Sequence, residues 1–249
     1  MSETDLFLFD TGQRTDVGRV RDHNEDAYLA RPDAGLWVVA DGMGGHAAGD
    51  FASLAITGEL GQIGVPGSLD DLQARVFERL GRATMAIRSR SQALCGATVG
   101  ATLVALLLYE DEFACLWAGD SRVYLMRGGT LFRLTEDHTE VQALLNAGAI
   151  TEAEARTWPR RNVITRAIGV TDLPECERSS GRVEAGDLFI LCSDGLTGHI
   201  EDNEIEQMAK APRSAQALCD ELVALTLERG AHDNVTAVAV RCHPAPVLD

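Results

Sequence analysis

Between Ala97 and Leu134 the chain carries four apolar runs, Ala97–Tyr109, Phe113–Ala118, Val123–Arg127 and Leu131–Leu134, separated only by short turns. Glu110-Asp111-Glu112 is a charged turn, and Arg127-Gly128-Gly129-Thr130 is a hairpin loop. Connections this short leave no room for the crossover that parallel neighbours need, so the stretch reads as an antiparallel meander. Further strand signals lie at Leu6–Gly12, Asp26–Ala30, Leu36–Ala40, Leu188–Cys192 and Val235–Arg241.

Helical spacing comes in two blocks, Gly49–Ile63 with Leu69–Ser91, and Asp202–Ala209 with Ser214–Glu228. Ser68 followed by Asp70-Asp71 supplies a start signal for the second of these helices. Strands, two helices, more strands, two helices and a final strand do not alternate as βαβ units do. The order predicts an α+β protein whose antiparallel sheets carry helices on their outer faces. A chain of 249 residues is long enough to build this as one domain, residues 1–249.

Residues 138–165 differ in character. Two short helical patterns, Thr139–Asn146 and Thr151–Thr157, are followed by the break Trp158-Pro159-Arg160-Arg161. Two readings stay open: a flap subdomain beside an active site, or an ordinary surface excursion.

Charge and cysteine usage exclude several partners. The formal net charge is −16, and Lys and Arg form no run, which argues against nucleic acid or an anionic membrane surface. Cys95, Cys115, Cys176, Cys192, Cys219 and Cys242 lie far apart with no CxxC pair. That pattern predicts buried thiols in a reducing compartment, neither a disulfide framework nor a zinc site. The start, MSETDLFLFDTGQR, places acids before a short apolar run, the wrong order for a signal peptide. Ser91 to Tyr109 carries no charge, but its apolar half, Leu103–Tyr109, is short, and a buried strand is the expectation. A soluble, cytoplasmic monomer is expected.

Four acidic motifs stand at turn positions directly after apolar runs: Arg21-Asp22-His23-Asn24-Glu25-Asp26, Asp41-Gly42-Met43-Gly44-Gly45, Gly119-Asp120-Ser121-Arg122 and Ser193-Asp194-Gly195. A fifth, His232-Asp233-Asn234-Val235-Thr236, immediately precedes a strand. Singly, each reads as a turn, since Asp bonds its own backbone and Gly tolerates positive φ. Together they aim several carboxylates from neighbouring strand ends into one region, where they would repel strongly unless compensated. Hard divalent cations remove that cost and take oxygen ligands of this kind. Two cations bridged by a carboxylate form a reaction centre for phosphoryl transfer, and an arginine adds a planar fork for phosphate oxygens. Arg21 is the arginine built into a motif. Histidine and cysteine are not spaced as zinc ligands, so Mg²⁺ or Mn²⁺ fits better than zinc.

The order Arg-x-x-Asn-Glu-Asp, Val-Ala-Asp-Gly-Met-Gly-Gly, Gly-Asp-Ser-Arg, Ser-Asp-Gly and Asp-Asn-x-Thr, running from about residue 12 to residue 241, resembles the metal-dependent protein phosphatases. These are the type 2C serine/threonine phosphatases, here in their compact bacterial form. The resemblance implies a four-layer α-β-β-α sandwich of two antiparallel β-sheets flanked by helices, with metals in a channel at one end and a helical flap. It implies that Asp41 bridges two Mn²⁺ or Mg²⁺ ions, one also held by the Gly42 carbonyl and the other by Asp194 and Asp233. Glu25 and Asp26 would hold metal-bound waters, directly or through hydrogen bonds, and Asp120 would join Asp194 at a third, weaker metal. Arg21 would clamp the substrate phosphate. Asn234 and Thr236 are expected to shape the turn and strand.

The implied activity is hydrolysis of phosphoserine and phosphothreonine in proteins by direct attack of a metal-bridging hydroxide. Bacterial relatives commonly oppose a serine/threonine kinase in cell-wall, stress or secretion control, so a cognate kinase and its targets are the implied partners. Where animal-type members carry a histidine after Asp-Gly, this chain has Met43, which leaves the general acid open between His46 and a metal-bound water. Where relatives often read His-Pro, it has Trp158-Pro159, ahead of Arg161-Asn162. Trp158 and Arg161 are therefore candidate substrate contacts in the flap, with packing of the flap the alternative for the indole. His138 is expected to be structural, and His23 and His199 to be polar loop residues. Two rivals remain: a silent module on the same fold, against which the retained acids argue, and a two-metal hydrolase of small phosphates. Setting aside the six site acids from 38 still leaves a surplus of ten over the 22 bases, a surface that should prefer basic-flanked phosphopeptides.

Overall fold

The computed structural model describes residues 7–44 and 48–245. The elements in chain order are β1 (Phe7–Asp16), β2 (Asp26–Arg31), β3 (Leu36–Met43), α1 (Gly49–Leu60), α2 (Leu69–Ala93), β4 (Gly100–Ala101), β5 (Leu103–Tyr109), β6 (Glu112–Ala118), β7 (Arg122–Arg127) and β8 (Thr130–Arg133). Then follow α3 (Glu140–Asn146), α4 (Glu152–Arg156), β9 (Glu177–Arg182), β10 (Leu188–Cys192), α5 (Asp194–Thr197), α6 (Asp202–Lys210), α7 (Ala215–Glu228) and β11 (Val235–Pro244).

Two antiparallel sheets result. The first has the order β1-β11-β10-β7-β8, and the second β2-β3-β5-β6-β9 with β4 added to β3. Between them lies a core of Trp37, Val39, Val104, Leu106, Phe189, Leu191, Val238 and Val240. The alternate residues of the same strands face outward into two more cores. Val38, Ala40, Leu103, Ala105 and Leu107 meet Ile56, Leu72, Val76 and Leu80 of α1 and α2. Leu188, Ile190, Ala237 and Ala239 meet Leu218, Leu222 and Val223 of α7. Three cores between four layers make the α-β-β-α sandwich. Both faces of β5 are buried, which is why Leu103–Tyr109 lacks the polar alternation of a half-exposed strand. Among the described residues no helix is long and apolar enough to cross a membrane.

The structure departs from the sequence reading in several places. Asp41 and Gly42 do not form a turn. β3 runs on through them because β4 pairs with its end, Gly42 opposite Ala101 and Met43 opposite Gly100. Asp26 likewise opens a strand, opposite Asp41, and Asp194 opens a helix. The expected strand Ala97–Tyr109 is interrupted at Thr102, whose N–H donates to the Asp41 carbonyl and whose hydroxyl accepts from the Asp41 N–H. Leu6, the expected start of the first strand, lies outside the described residues, and β1 extends to Asp16 by pairing with the full length of β11. β9 is an additional strand: Glu-Arg-Ser-Ser-Gly-Arg has no apolar period because it is an exposed edge. Cys115, Cys192, Cys219 and Cys242 are buried free thiols as expected, but Cys95 is exposed and Cys176 half-buried, so burial does not extend to all six.

Candidate metal centre

The acids converge at one end of the sandwich from both sheets. Asp26 and Asp41 sit at the paired ends of β2 and β3, Asp194 lies two residues past the end of β10, and Asp233 two residues before β11. Asp120 lies in the link from β6 to β7, which passes from one sheet to the other. Asp26 ties the sheets together: its Oδ2 accepts hydrogen bonds from Ser193 Oγ at 2.8 Å and Thr236 Oγ1 at 2.7 Å. Ser193 Oγ in turn accepts from the Thr236 N–H at 3.0 Å.

Local backbone demands account for the motif residues around these acids. A side chain on Gly195 would overlap the carbonyl of Asn234, so Ser-Asp-Gly needs its glycine to let α5 approach the β11 turn. Gly42 is pressed in the same way against Gly49, at the start of α1. The Asn234 side chain accepts the Glu25 N–H at 2.8 Å and donates to the carbonyls of Val17 and His23 at 2.9 and 2.8 Å. It therefore staples the loop bearing Arg21 and Glu25 to the start of β11. The shaping role expected for Asn234 and Thr236 is what the geometry displays. The Glu25 carboxylate packs on Gly49, where a Cβ would lie 2.7 Å from its Cδ, so it faces the N-terminal end of α1.

Burial drives the electrostatics. It pushes the Asp26 carboxyl up to about 7, partly offset by the Thr236 and Ser193 hydroxyls and reinforced by Asp194 and Asp233. Burial, then Asp194 and Asp137, push Asp120 up to about 8. Asp41 is raised well above the carboxylate range by burial and by Asp26, Asp194, Asp120 and Asp233. Asp194 is raised by burial and by Asp233, with a hydrogen bond to Asp41 working against them. A positive charge brought among these groups would relieve all of them at once. Arg21 supplies one on the rim, donating to Asp233 Oδ2 at 2.7 Å.

The residues fit a hard divalent cation. Their donors are all oxygens, and Asp26 Oδ1 is buried without a hydrogen-bond partner among the described residues. Among the described residues no three His, Cys, Asp or Glu side chains are already closed into a cage. Asp233 is turned to Arg21 instead, and sites of this class fill much of their coordination with water.

The family model for protein phosphatase 2C matches residues 18–234. The chain belongs to the protein phosphatase 2C family. It is a serine/threonine protein phosphatase, as the ordered motifs implied. Serine/threonine phosphatase Stp of Listeria welshimeri is 33% identical over 237 residues, covering 91% of this chain and 93% of its own. The structure of PppA from Pseudomonas aeruginosa is 42% identical, covers 94% of this chain and 97% of its own, and superposes with a TM-score of 0.86. The catalytic domain of PstP in complex with two manganese ions is 34% identical, covers 96% of this chain and all of its own, with a TM-score of 0.86.

In this phosphatase the 138–165 segment forms the two short helices expected, each with the threonine cap its sequence signals. Thr139 caps α3, and Thr151 with Glu154 makes a capping box on α4. Neither candidate contact in the segment is brought to the acids by a described hydrogen bond. Trp158 is half-buried and its backbone N–H donates to the Ala155 carbonyl, while the exposed Arg161 side chain donates to the Arg156 carbonyl at 3.0 Å. His138 is structural as expected: its Nδ1 accepts the Gly119 N–H at 3.1 Å, beside Asp120, and its ring stacks on Trp117. His199 accepts the His232 N–H at 3.1 Å, and His46 lies outside the described residues. Sequence reasoning missed Arg122, which grips Asp137 with Nε and Nη2 at 3.0 and 2.7 Å and donates to Tyr124 at 3.1 Å. Its signal was available, since Gly-Asp-Ser-Arg ends in an arginine and Asp137 precedes His138. The hydroxyl pair Thr102–Ser121, 2.8 Å apart, was also missed because nothing in sequence marks a buried hydroxyl as a support for Asp41.

Proposed function

We propose that this phosphatase works through two divalent cations, Mn²⁺ or Mg²⁺, held by Asp41, the Gly42 carbonyl, Asp194 and Asp233, with Glu25 and Asp26 ordering their waters. Asp120 with Asp194 offers a third, weaker position. When bound, the cations supply an activated water and neutralise charge building on the phosphoryl oxygens. The carrying observation is the convergence of Asp26, Asp41, Asp120 and Asp194, each pushed upward by burial and by its acidic neighbours.

Arg21 holds the phosphate oxygens in a bidentate grip, exchanging Asp233 for the substrate. Asp26, fixed by Ser193 and Thr236 through its Oδ2, leaves its unpartnered Oδ1 to hold a cation-bound water. The general acid is unassigned. Residues 1–249 act as a single catalytic domain in which 138–165 is a substrate flap, and Trp158 and Arg161 select among phosphoprotein segments from that flap. The enzyme, a cytoplasmic monomer, reverses a serine/threonine kinase, a reading supported by the phosphatase names of its relatives. The test is turnover of p-nitrophenyl phosphate and a phosphothreonine peptide with Mn²⁺, with Mg²⁺ and with EDTA. Metal-dependent hydrolysis of both is expected, and turnover that survives EDTA would overturn the metal assignment.

A further inference from the structure

A cavity of about 210 Å³ is lined by Met43, two residues along β3 from Asp41, and plays no part in the chemistry assigned above. Met43, Ile164, Ala167 and Val170 give it an apolar side, and Arg166, Glu175 and three threonines complete the wall. Gly100, paired with Met43 across β3 and β4, lets the Met43 and Val170 side chains pack close on its backbone. A Cβ there would lie 2.9 Å from Met43 Cε and 3.1 Å from Val170 Cγ2. An apolar cavity of about 150 Å³ already takes a benzene-sized group, so this one has space for a leucine, methionine or phenylalanine side chain.

Its position gives the register. Asp41 and Met43 are alternate residues of β3, so their side chains leave the same face of the strand about 6.6 Å apart. In an extended peptide, side chains two residues apart have the same spacing and the same sidedness. A phosphopeptide lying extended along β3 with its phosphorylated side chain at the acids would set the residue two positions away over Met43. We propose that this cavity is a specificity pocket for an apolar side chain two residues from the phosphoserine or phosphothreonine. The proposal rests on the phosphatase reading of the acid cluster, to which the pocket is linked through β3, where Met43 follows Asp41 by two residues.

The test compares three phosphothreonine peptides identical except for leucine at −2, leucine at +2, or glycine at both. It uses Mn²⁺-loaded enzyme and also measures inhibition by the three dephosphorylated peptides. One leucine peptide should exceed the glycine peptide by about tenfold in kcat/KM, with the same rank in inhibition, a ratio typical of an apolar pocket. Ala167→Phe fills the pocket from within, and Val170→Trp fills it from a position that is 47% exposed and tolerant of size. Either should bring the leucine-to-glycine ratio close to one. Hydrolysis of all three peptides at equal rates would overturn the pocket and leave the phosphatase reading intact. Hydrolysis of none would overturn that reading, and the pocket with it. A leucine preference that survives Val170→Trp in a folded enzyme would place the selectivity elsewhere.

Discussion

Arg21 and Asp233 form an ion pair of 2.7 Å in which both side chains stay substantially exposed, 52% and 40%. An exposed pair of this kind contributes at most about 1 kcal/mol, so a doubly charged phosphate can draw Arg21 away at little cost. Arg21→Ala should raise KM for a phosphopeptide about tenfold with a smaller change in kcat. Steady-state kinetics at saturating Mn²⁺ decide it, and an unchanged KM would remove Arg21 from substrate binding.

Asp41→Asn should abolish hydrolysis yet stabilise the metal-free protein. Asp41 faces repulsion from Asp26, Asp194, Asp120 and Asp233, and the amide removes it at nearly constant shape. Melting temperatures in EDTA, read beside p-nitrophenyl phosphate turnover, check both halves. A lower melting temperature with the fold otherwise intact would contradict the electrostatic account.

The metal-free protein should lose stability as pH rises from about 4 to about 8. Asp26 is held near 7 and Asp120 near 8 in the folded state, against the ordinary 3.8 when unfolded. The folded chain therefore binds more protons across that window and stability falls with pH, with Asp41, raised well above the carboxylate range, adding to the fall. Mn²⁺ should restore more stability at pH 8 than at pH 5. Thermal melts in EDTA and in Mn²⁺ at both pH values test this, and a flat metal-free profile would refute it.

Gly195→Ala should destabilise the protein by about 2–3 kcal/mol, because the added methyl overlaps the Asn234 carbonyl in a packed turn. The turn also positions Asp194 and Asp233, so kcat should fall alongside stability. Urea unfolding and turnover together measure it, and wild-type values in both would show that the turn yields freely.

Peptides flanked by lysine or arginine should be hydrolysed about tenfold faster than acid-flanked ones at low ionic strength, given the net charge of −16. The advantage should shrink in high salt, where the screening length drops to about 3 Å. Equal rates at low salt would sink the expectation.

Most of the acid cluster was legible in sequence because each acid sits in a contiguous motif whose glycine or asparagine answers a local steric or hydrogen-bond demand. Gly195 under Asn234 and Asn234 over Glu25 are such cases. The setting of Asp41 was not legible, since its strand is prolonged by β4, a pairing made with residues far along the chain. β9 escaped notice because an edge strand with a polar surface lacks any apolar period. The hydroxyls of Ser193 and Thr236 support the site through the distant Asp26 they meet, and that meeting is a property of two docked sheets.

Asp26 draws its hydroxyl partners from positions 167 and 210 residues further along the chain. One of them, Thr236, belongs to β11, which is inserted between β1 and β10. During synthesis on the ribosome, the N-terminal acids must therefore wait, without their partners, until β11 has emerged and slotted into the sheet. Insertion of β11 thus closes the first sheet and delivers the Thr236 hydroxyl to Asp26 in a single step.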